Sequence, residues 1–413
     1  MDAQSFSRKS PGKLIPASAE VGGLAFLPNP LPPRWSVPAD LYDLIIEARA
    51  AVAELNGIGR TIPDHRLLLK PLQQREALTS SSLEGTYCPP DELILAELDT
   101  GGARRKARPQ PTRRPASFRV RSEAYEVRAF GRALDRGIEL LAGGLPLCSR
   151  VFCEMHDQLM SGFVFRQKRP GNYRNAPVMI GTEARFVPPP GEHVPELIAN
   201  LEAFIQPPDE SGATEPDATA RFAVDPLVRS LIAHYQFETI HPFLDGNGRI
   251  GRAILSLMIQ NLLGHDHPWL YVSAFIEEHK SEYIEALFNV SAKGDWTRWI
   301  RFGLRAIHQQ ATDGIVRCQQ FNELQADFQN RLDAEGDTVA QRLYRVVDLL
   351  FAQPIVTPQA IAERLGLSTP TARTHLKRLA ELGILTERPG TRPLQYRCDE
   401  VMAIAYGDLR QRD

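Results

Sequence analysis

His241-Pro-Phe-Leu-Asp-Gly-Asn-Gly-Arg-Ile-Gly-Arg252 is the stretch on which the reading of this chain turns. It packs an imidazole, a carboxylate, an amide and two guanidinium groups into twelve positions. Before it, Leu227 to Thr239 carries apolar residues at helical spacing. After it, Ile250 to Leu263 is almost wholly apolar, so the polar residues sit in a tight loop that opens a buried helix. Gly246 and Gly248 let the backbone bend and approach a ligand closely. The N–H groups of a helix start point at an anion, which the helix dipole also favours. Arg249 and Arg252, three apart, share one face of the first turn and can grip successive phosphates. Asp245 is an oxygen ligand of the kind Mg²⁺ takes when it bridges phosphates. His241 is the group that can accept a proton near neutral pH. The chemistry spelled out is phosphate capture beside a general base.

These residues match H-x-F-x-[D/E]-G-N-G-R-x-x-R, the signature of Fic-domain proteins, at all eight specified positions. The chain resembles that family, whose members typically transfer AMP from ATP to a Ser, Thr or Tyr hydroxyl of a target protein. The resemblance implies that His241 deprotonates the hydroxyl and Asp245 holds Mg²⁺. It makes Gly246, Asn247 and Gly248 the anion hole, and Arg249 and Arg252 the grip on the triphosphate. A related branch that phosphorylates its target carries Lys where this chain has Gly246. A second arrangement within the same residues is a metal-dependent hydrolase, because His234, Glu238 and His241 fall at i, i+4 and i+7. The H-E-x-x-H order of such enzymes is absent, and Pro242 disfavours a helical conformation at His241.

A second resemblance lies upstream. Ser80-Ser-Ser-Leu-Glu84-Gly85 is similar to the inhibitory motif [S/T]-x-x-x-E-[G/N] of Fic proteins, in the class whose inhibitory helix is N-terminal. It implies that Ser80 and Glu84 restrain the enzyme in cis, with Glu84 pairing with Arg252 and excluding the ATP γ-phosphate. Alone, the pattern reads as a helix C-terminus with a solvated Glu. Pro177 to Val187 forms two short apolar runs about Gly181-Thr-Glu183, closed by Pro188-Pro-Pro190. It is the one β-like place expected in a helical region. It is similar to the flap of Fic proteins, in which Ile180, Gly181 and Thr182 would pair main chain to main chain with the target. Leu270 to Ser273 and Ser281 to Val290 resemble the nucleotide-base side of the pocket. Tyr283 matches the first of a frequent tyrosine pair, and Ile284 departs from the second.

The chain has 413 residues, enough for two or three domains, with 43% apolar and 24% charged residues, as in ordinary soluble globular proteins. A net charge of −2 gives no global attraction to nucleic acid or anionic membrane, so any such binding is local. Five scattered cysteines without C-x-x-C spacing favour a reducing compartment over a disulfide framework or zinc ribbon. No signal peptide or membrane-spanning run is read, which leads to a cytoplasmic location without membrane partners.

The expected fold is mainly α: a helical Fic core with a β-hairpin flap, an N-terminal helical inhibitory region and a C-terminal winged helix-turn-helix. Residues 1–34 read as an extended arm and 35–99 as the helical region with the inhibitory motif, including a turn at Gly57 to Pro63. Residues 100–117 read as a mobile Arg/Pro-rich loop and 118–310 as the core, whose last helix starts at Trp296 and ends near Gln310. Residues 311–337 form a connecting helix and 338–405 the winged module. In the module, Thr371, Arg373, Thr374, His375, Lys377 and Arg378 ride on the helix placed for recognition. DNA binding, dimerisation into a homodimer and target docking are all open to it. The sequence therefore leads to an autoinhibited protein adenylyltransferase acting on a target and on itself, with ATP and Mg²⁺, and with AMP removal at the same site left open. The reading from a different class is a DNA-binding regulator whose Fic-like fold senses nucleotide.

Overall fold

The computed structural model describes residues 1–61, 66–98, 116–161, 168–181, 185–206, 224–333 and 337–412. In chain order, β1 (Gly12–Pro16) and β2 (Leu24–Pro28) are followed by α1 (Tyr42–Thr61), α2 (Arg66–Leu83) and α3 (Pro90–Leu98). Then come α4 (Ala116–Ala142), α5 (Ser149–Met160), α6 (Val194–Ile205), α7 (Pro226–Ile240), α8 (Asn247–Leu262), α9 (Ser273–Glu278) and α10 (Lys280–Lys293). The chain ends through α11 (Trp296–Asp333), α12 (Asp337–Ala352), β3 (Ile355–Val356), α13 (Pro358–Leu365), α14 (Thr369–Glu381), β4 (Thr386–Arg388), β5 (Gln395–Arg397) and α15 (Asp399–Tyr406). The fold is mainly helical. Two compact units divide it, Met1–Asn56 with Ala129–Thr312 and Gly57–Arg128 with Asp313–Asp413, and their boundaries fall inside α1, α4 and α11.

In the first unit the arm is more ordered than its sequence suggests. β1 and β2 pair antiparallel, with Leu14 opposite Phe26, so the flap segment is not the sole β-like place. A lone hairpin is marginal in water; this one is held because Phe26 is fully buried, packs at a tilt against Phe6 and Phe186, and donates its N–H to Val187 O at 2.9 Å. Helix α1 runs through Gly57, where a turn was expected. Glycine costs a helix only about 1 kcal/mol, and the buried stripe Ile45, Ala48, Val52 and Leu55 outweighs it.

The centre of this unit is the pair α7 and α8. Nearly every α7 residue from Leu227 to Ile240 is buried. The two helices pack closely at Gly251, where a Cβ would lie 2.1 Å from Glu238 Oε1. Trp299 of α11 donates its indole N–H to Leu231 O at 2.9 Å and so fixes a third helix to the pair. Helix α11 then continues to Asp333 as one element of 38 residues, without the expected break near Gln310. Thr312-Asp313-Gly314 are weak helix formers there, and the buried face of Ala311, Ile315, Cys318 and Phe321 carries the helix across them.

The second unit joins α2 to the C-terminal module. Helix α2 packs on α12 and α15, and α3 packs on β3. Arg75 and Asp408 form a bidentate ion pair, Tyr406 donates to Gln74 Oε1 at 2.6 Å, and Asp91 faces Arg388 and Arg397 at 3.4 and 3.5 Å. Within the module, β3, β5 and β4 form an antiparallel sheet in that order. Thr357 and Ser368 cap α13 and α14 through their hydroxyls, and Gly366 ends α13 in the left-handed conformation. The sequence alone did not reveal β3 or α15: a two-residue strand is too short to show alternation. The polar stretch after Asp333 suggests a clean cut there, but cutting would remove α12 and α15, on which α2 packs. Residues 100–115, most of the stretch read as a mobile loop, lie outside the described residues, and α4 already begins at Ala116.

Candidate functional site

The site is built where α7 stops and α8 starts. His241 ends α7 with φ 50° and ψ 61°, its N–H bonded to Phe237 O at 2.9 Å. Among the described residues, it and Arg169 are the non-glycine residues with positive φ. Such a turn is normally left to glycine because it costs other residues roughly 1–2 kcal/mol. The His241 Nδ1 lies 3.4 Å from Glu238 O. A carbonyl can only accept, so this contact is a hydrogen bond in the tautomer that carries the ring proton on Nδ1.

The loop that follows is closed from inside. Asn247 is buried and its amide staples the turn, accepting from Phe243 N at 2.8 Å and donating to Phe243 O at 2.9 Å. Its side chain therefore shapes the loop, while its backbone N–H belongs to the helix start. Gly246 precedes α8 at φ 77°, and a Cβ there would press on Leu159 Cδ2 at 3.0 Å. No side chain caps α8, which leaves its first-turn amides to an anion. Arg249 on that first turn and Arg252 on the next are both buried. Asp245 accepts from Gly246 N–H at 2.7 Å through Oδ1, and its Oδ2 faces the Lys168 ammonium at 3.5 Å. A half-exposed carboxylate that meets one cation loosely through an outer oxygen fits Mg²⁺ bridging phosphates.

Two residues beneath the loop were not singled out from the sequence. His156 of α5 stacks on Phe243 with ring centroids 3.8 Å apart. Its Nδ1 accepts from Gly171 N–H at 3.0 Å, so Nε2 carries the proton and donates to Asp245 O at 3.1 Å. Burial pushes its pKa down to about 4. The signal was present, since His156 shares the apolar face of Phe152, Met155 and Leu159. Arg174 is the other: its buried guanidinium reaches the carbonyls of Ile240 and His241.

His234 does not join a metal site. It is fully buried, with Nδ1 at 3.1 Å from Gly251 O and Nε2 at 2.9 Å from Tyr283 OH. Both nitrogens are engaged, and the left-handed turn takes His241 off the helical face, so the i, i+4, i+7 spacing is undone by tertiary packing. No cluster of His, Cys, Asp and Glu able to hold a metal occurs among the described residues. Tyr283 itself is buried with its hydroxyl on His234. In the flap segment, Ile180 and Phe186 form a single antiparallel bridge, with Gly181 at φ 80°; Thr182 lies outside the described residues. Arg185 anchors the segment by pairing with Glu285 at 2.6 Å and covering the Phe288 ring. Ser80 is fully buried within α2 of the second unit, and Glu84 is exposed just beyond its end.

The two buried histidines give the fold an acid limit. Burial lowers His234 to about 3, further than His156. Both stay neutral in the folded protein while the unfolded chain takes up protons near pH 6.5. Stability from this source is complete above pH 6.5 and falls as the pH drops, by about 1.4 kcal/mol per pH unit for each histidine. Denaturant unfolding at pH 7 and pH 5 measures it; equal midpoints would contradict the neutral assignment.

No helix among the described residues is long and apolar enough to cross a membrane. The winged helix-turn-helix DNA-binding model matches residues 341–386. The chain is 31% identical over 177 residues to protein adenylyltransferase fic-1 of Caenorhabditis elegans, covering 42% of this chain and 30% of that protein. It is 30% identical over 145 residues to a probable protein adenylyltransferase of Aquifex aeolicus, covering 35% of this chain and 37% of that one. It thus spans about a third of the length of these curated relatives. A solved Fic family protein from Desulfovibrio desulfuricans aligns with TM-score 0.48 and 22% identity, over 88% of this chain and 98% of that chain. The Fic/DOC family model matches residues 146–259, around the loop just described, and the Fic/DOC family N-terminal model matches residues 42–139. With the two parts matched in order over about half its length, the chain belongs to the Fic/DOC family.

Proposed function

We propose that the chain transfers AMP from ATP to a Ser, Thr or Tyr hydroxyl of a target protein, with Glu84 restraining the reaction in cis. The observation that carries this reading is the α7–α8 turn. There a histidine held at the end of α7, uncapped helix-start amides and two buried arginines meet in twelve residues. Helix-start amides with Arg249 and Arg252 suit a triphosphate, and His241 suits the removal of a hydroxyl proton. Asp245 would hold Mg²⁺, which neutralises phosphate charge when bound. The rest of catalysis is positioning for an in-line displacement at the α-phosphorus with pyrophosphate leaving. The flap segment would lay the target beside the site through main-chain pairing at Ile180, Gly181 and Thr182, and Tyr283 borders the nucleotide-base side. The relatives named as protein adenylyltransferases support the same chemistry. Incubation with labelled ATP and a lysate tests it: label on protein is expected, and its absence even from the Glu84→Gly variant would refute it.

The second reading, DNA binding by the C-terminal module, is favoured by one observation. Arg373, Thr374 and Lys377 are exposed together on α14, while Ala372, Leu376 and Leu379 are buried on its other side. Arg373→Ala and Lys377→Ala should each weaken duplex binding and flatten its salt dependence by about one charge. Failure of the wild-type protein to retard a duplex at low salt would end this reading.

A further inference from the structure

We propose that Arg174 is a positioning residue that aims the His241 imidazole by fixing the two peptide planes on either side of its Cα. Arg174 is 2% exposed, and burial lowers its pKa to about 10. Its guanidinium hydrogen bonds all end on carbonyl oxygens. Nε donates to His241 O at 2.7 Å, Nη2 to Ile240 O at 3.1 Å and Pro189 O at 2.7 Å, and Nη1 to Ala176 O at 3.2 Å. Its backbone N–H adds a bond to Pro242 O at 2.8 Å.

The carbonyl of Ile240 marks the peptide plane before the His241 Cα, and the carbonyl of His241 marks the plane after it. Holding both directions fixes φ and ψ, and with them the Cα–Cβ bond that carries the ring. The conformation so held is the left-handed one that histidine seldom adopts unaided. Release of His241 toward an ordinary backbone conformation would turn these carbonyls away and strand buried guanidinium donors, which opposes the release. The remaining two bonds, to Ala176 and Pro189, tie the same fork to both ends of the flap segment. Only a planar fork with several donors spans four carbonyls; a lysine ammonium in the same space has one nitrogen and cannot.

The inference rests on His241 as the base, so its test includes an arm that needs no catalysis. Arg174→Lys keeps the charge and Arg174→Met keeps most of the volume. Histidine-labelled protein gives ring ¹H–¹⁵N correlations for the ten histidines, with the His241 signals identified by their loss in His241→Ala. Both Arg174 variants are expected to unfold cooperatively and to bind a non-hydrolysable ATP analogue within about threefold of wild type. Their His241 ring signals should move. AMP transfer should fall about 100-fold in kcat with little change in KM for ATP, and lysine should give no rescue. Unmoved His241 signals, full transfer by folded Arg174→Met, or nucleotide affinity falling in step with transfer would each overturn the proposal. So would failure of both variants to fold, which would make Arg174 a residue of stability alone. A wild-type protein that transfers no AMP would count against the adenylyltransferase reading, and the ring signals would still decide the role of Arg174.

Discussion

Alanine in place of His241 is expected to lower AMP transfer by roughly 10²- to 10⁴-fold, the range spanned by loss of a positioned general base. Nucleotide binding should hardly change, because the proposed phosphate contacts come from the α8 amides, Arg249 and Arg252. The fold should tolerate the change as well. Alanine meets a left-handed backbone at φ 50°, but the Arg174 bonds that hold it there go to carbonyls and survive the loss of the ring. Single-turnover transfer with labelled ATP, run beside calorimetric binding of an ATP analogue, separates the two effects. Undiminished transfer by a folded His241→Ala protein would remove His241 from the mechanism.

The Glu84→Gly change is expected to act in the opposite direction. If Glu84 is inhibitory, its carboxylate competes with the γ-phosphate for the Arg252 guanidinium, and ATP binds with its α-phosphorus out of line. Removing the carboxylate should then raise transfer, including self-modification, on the order of tenfold or more, the scale of an ordinary coupling between sites. Most substitutions near an active site lower activity, so the sign of the effect is itself diagnostic. Glu84 is exposed beyond the end of α2, and the next residue is already glycine, so the change places little strain on folding. Equal labelling by the wild type and by Glu84→Gly, both folded, would reduce Glu84 to a solvated helix end. The family membership would stand. Because α2 packs on α12 and α15, with Arg75 paired to Asp408, activity of the two proteins is best compared in the full chain.

What the sequence determined by itself was the turn and its residue types. Twelve consecutive positions between two apolar helices carry the histidine, the carboxylate, the glycines and the arginines, and local signals of this kind survive without tertiary context. Most helices were legible for the same reason, and so were the helix-turn-helix and the wing strands, whose caps and turn residues are local. The tertiary structure decided whatever depends on distant partners. Spacing made His234 a candidate ligand, and packing spent both its nitrogens on Gly251 and Tyr283. The sequence suggested a turn from Gly57 in α1 and a helix end near Gln310 in α11, and burial of one helical face overrode both. β1 and β2 become a hairpin through Phe26 and its aromatic neighbours. Arg174 and His156 stand 67 and 89 residues from the backbone atoms they hold, and no local pattern reports a partner at that separation. The sequence supplied the side chains of the turn; the backbone conformation that carries them is held by buried hydrogen bonds to carbonyls, which exist only once the chain is folded.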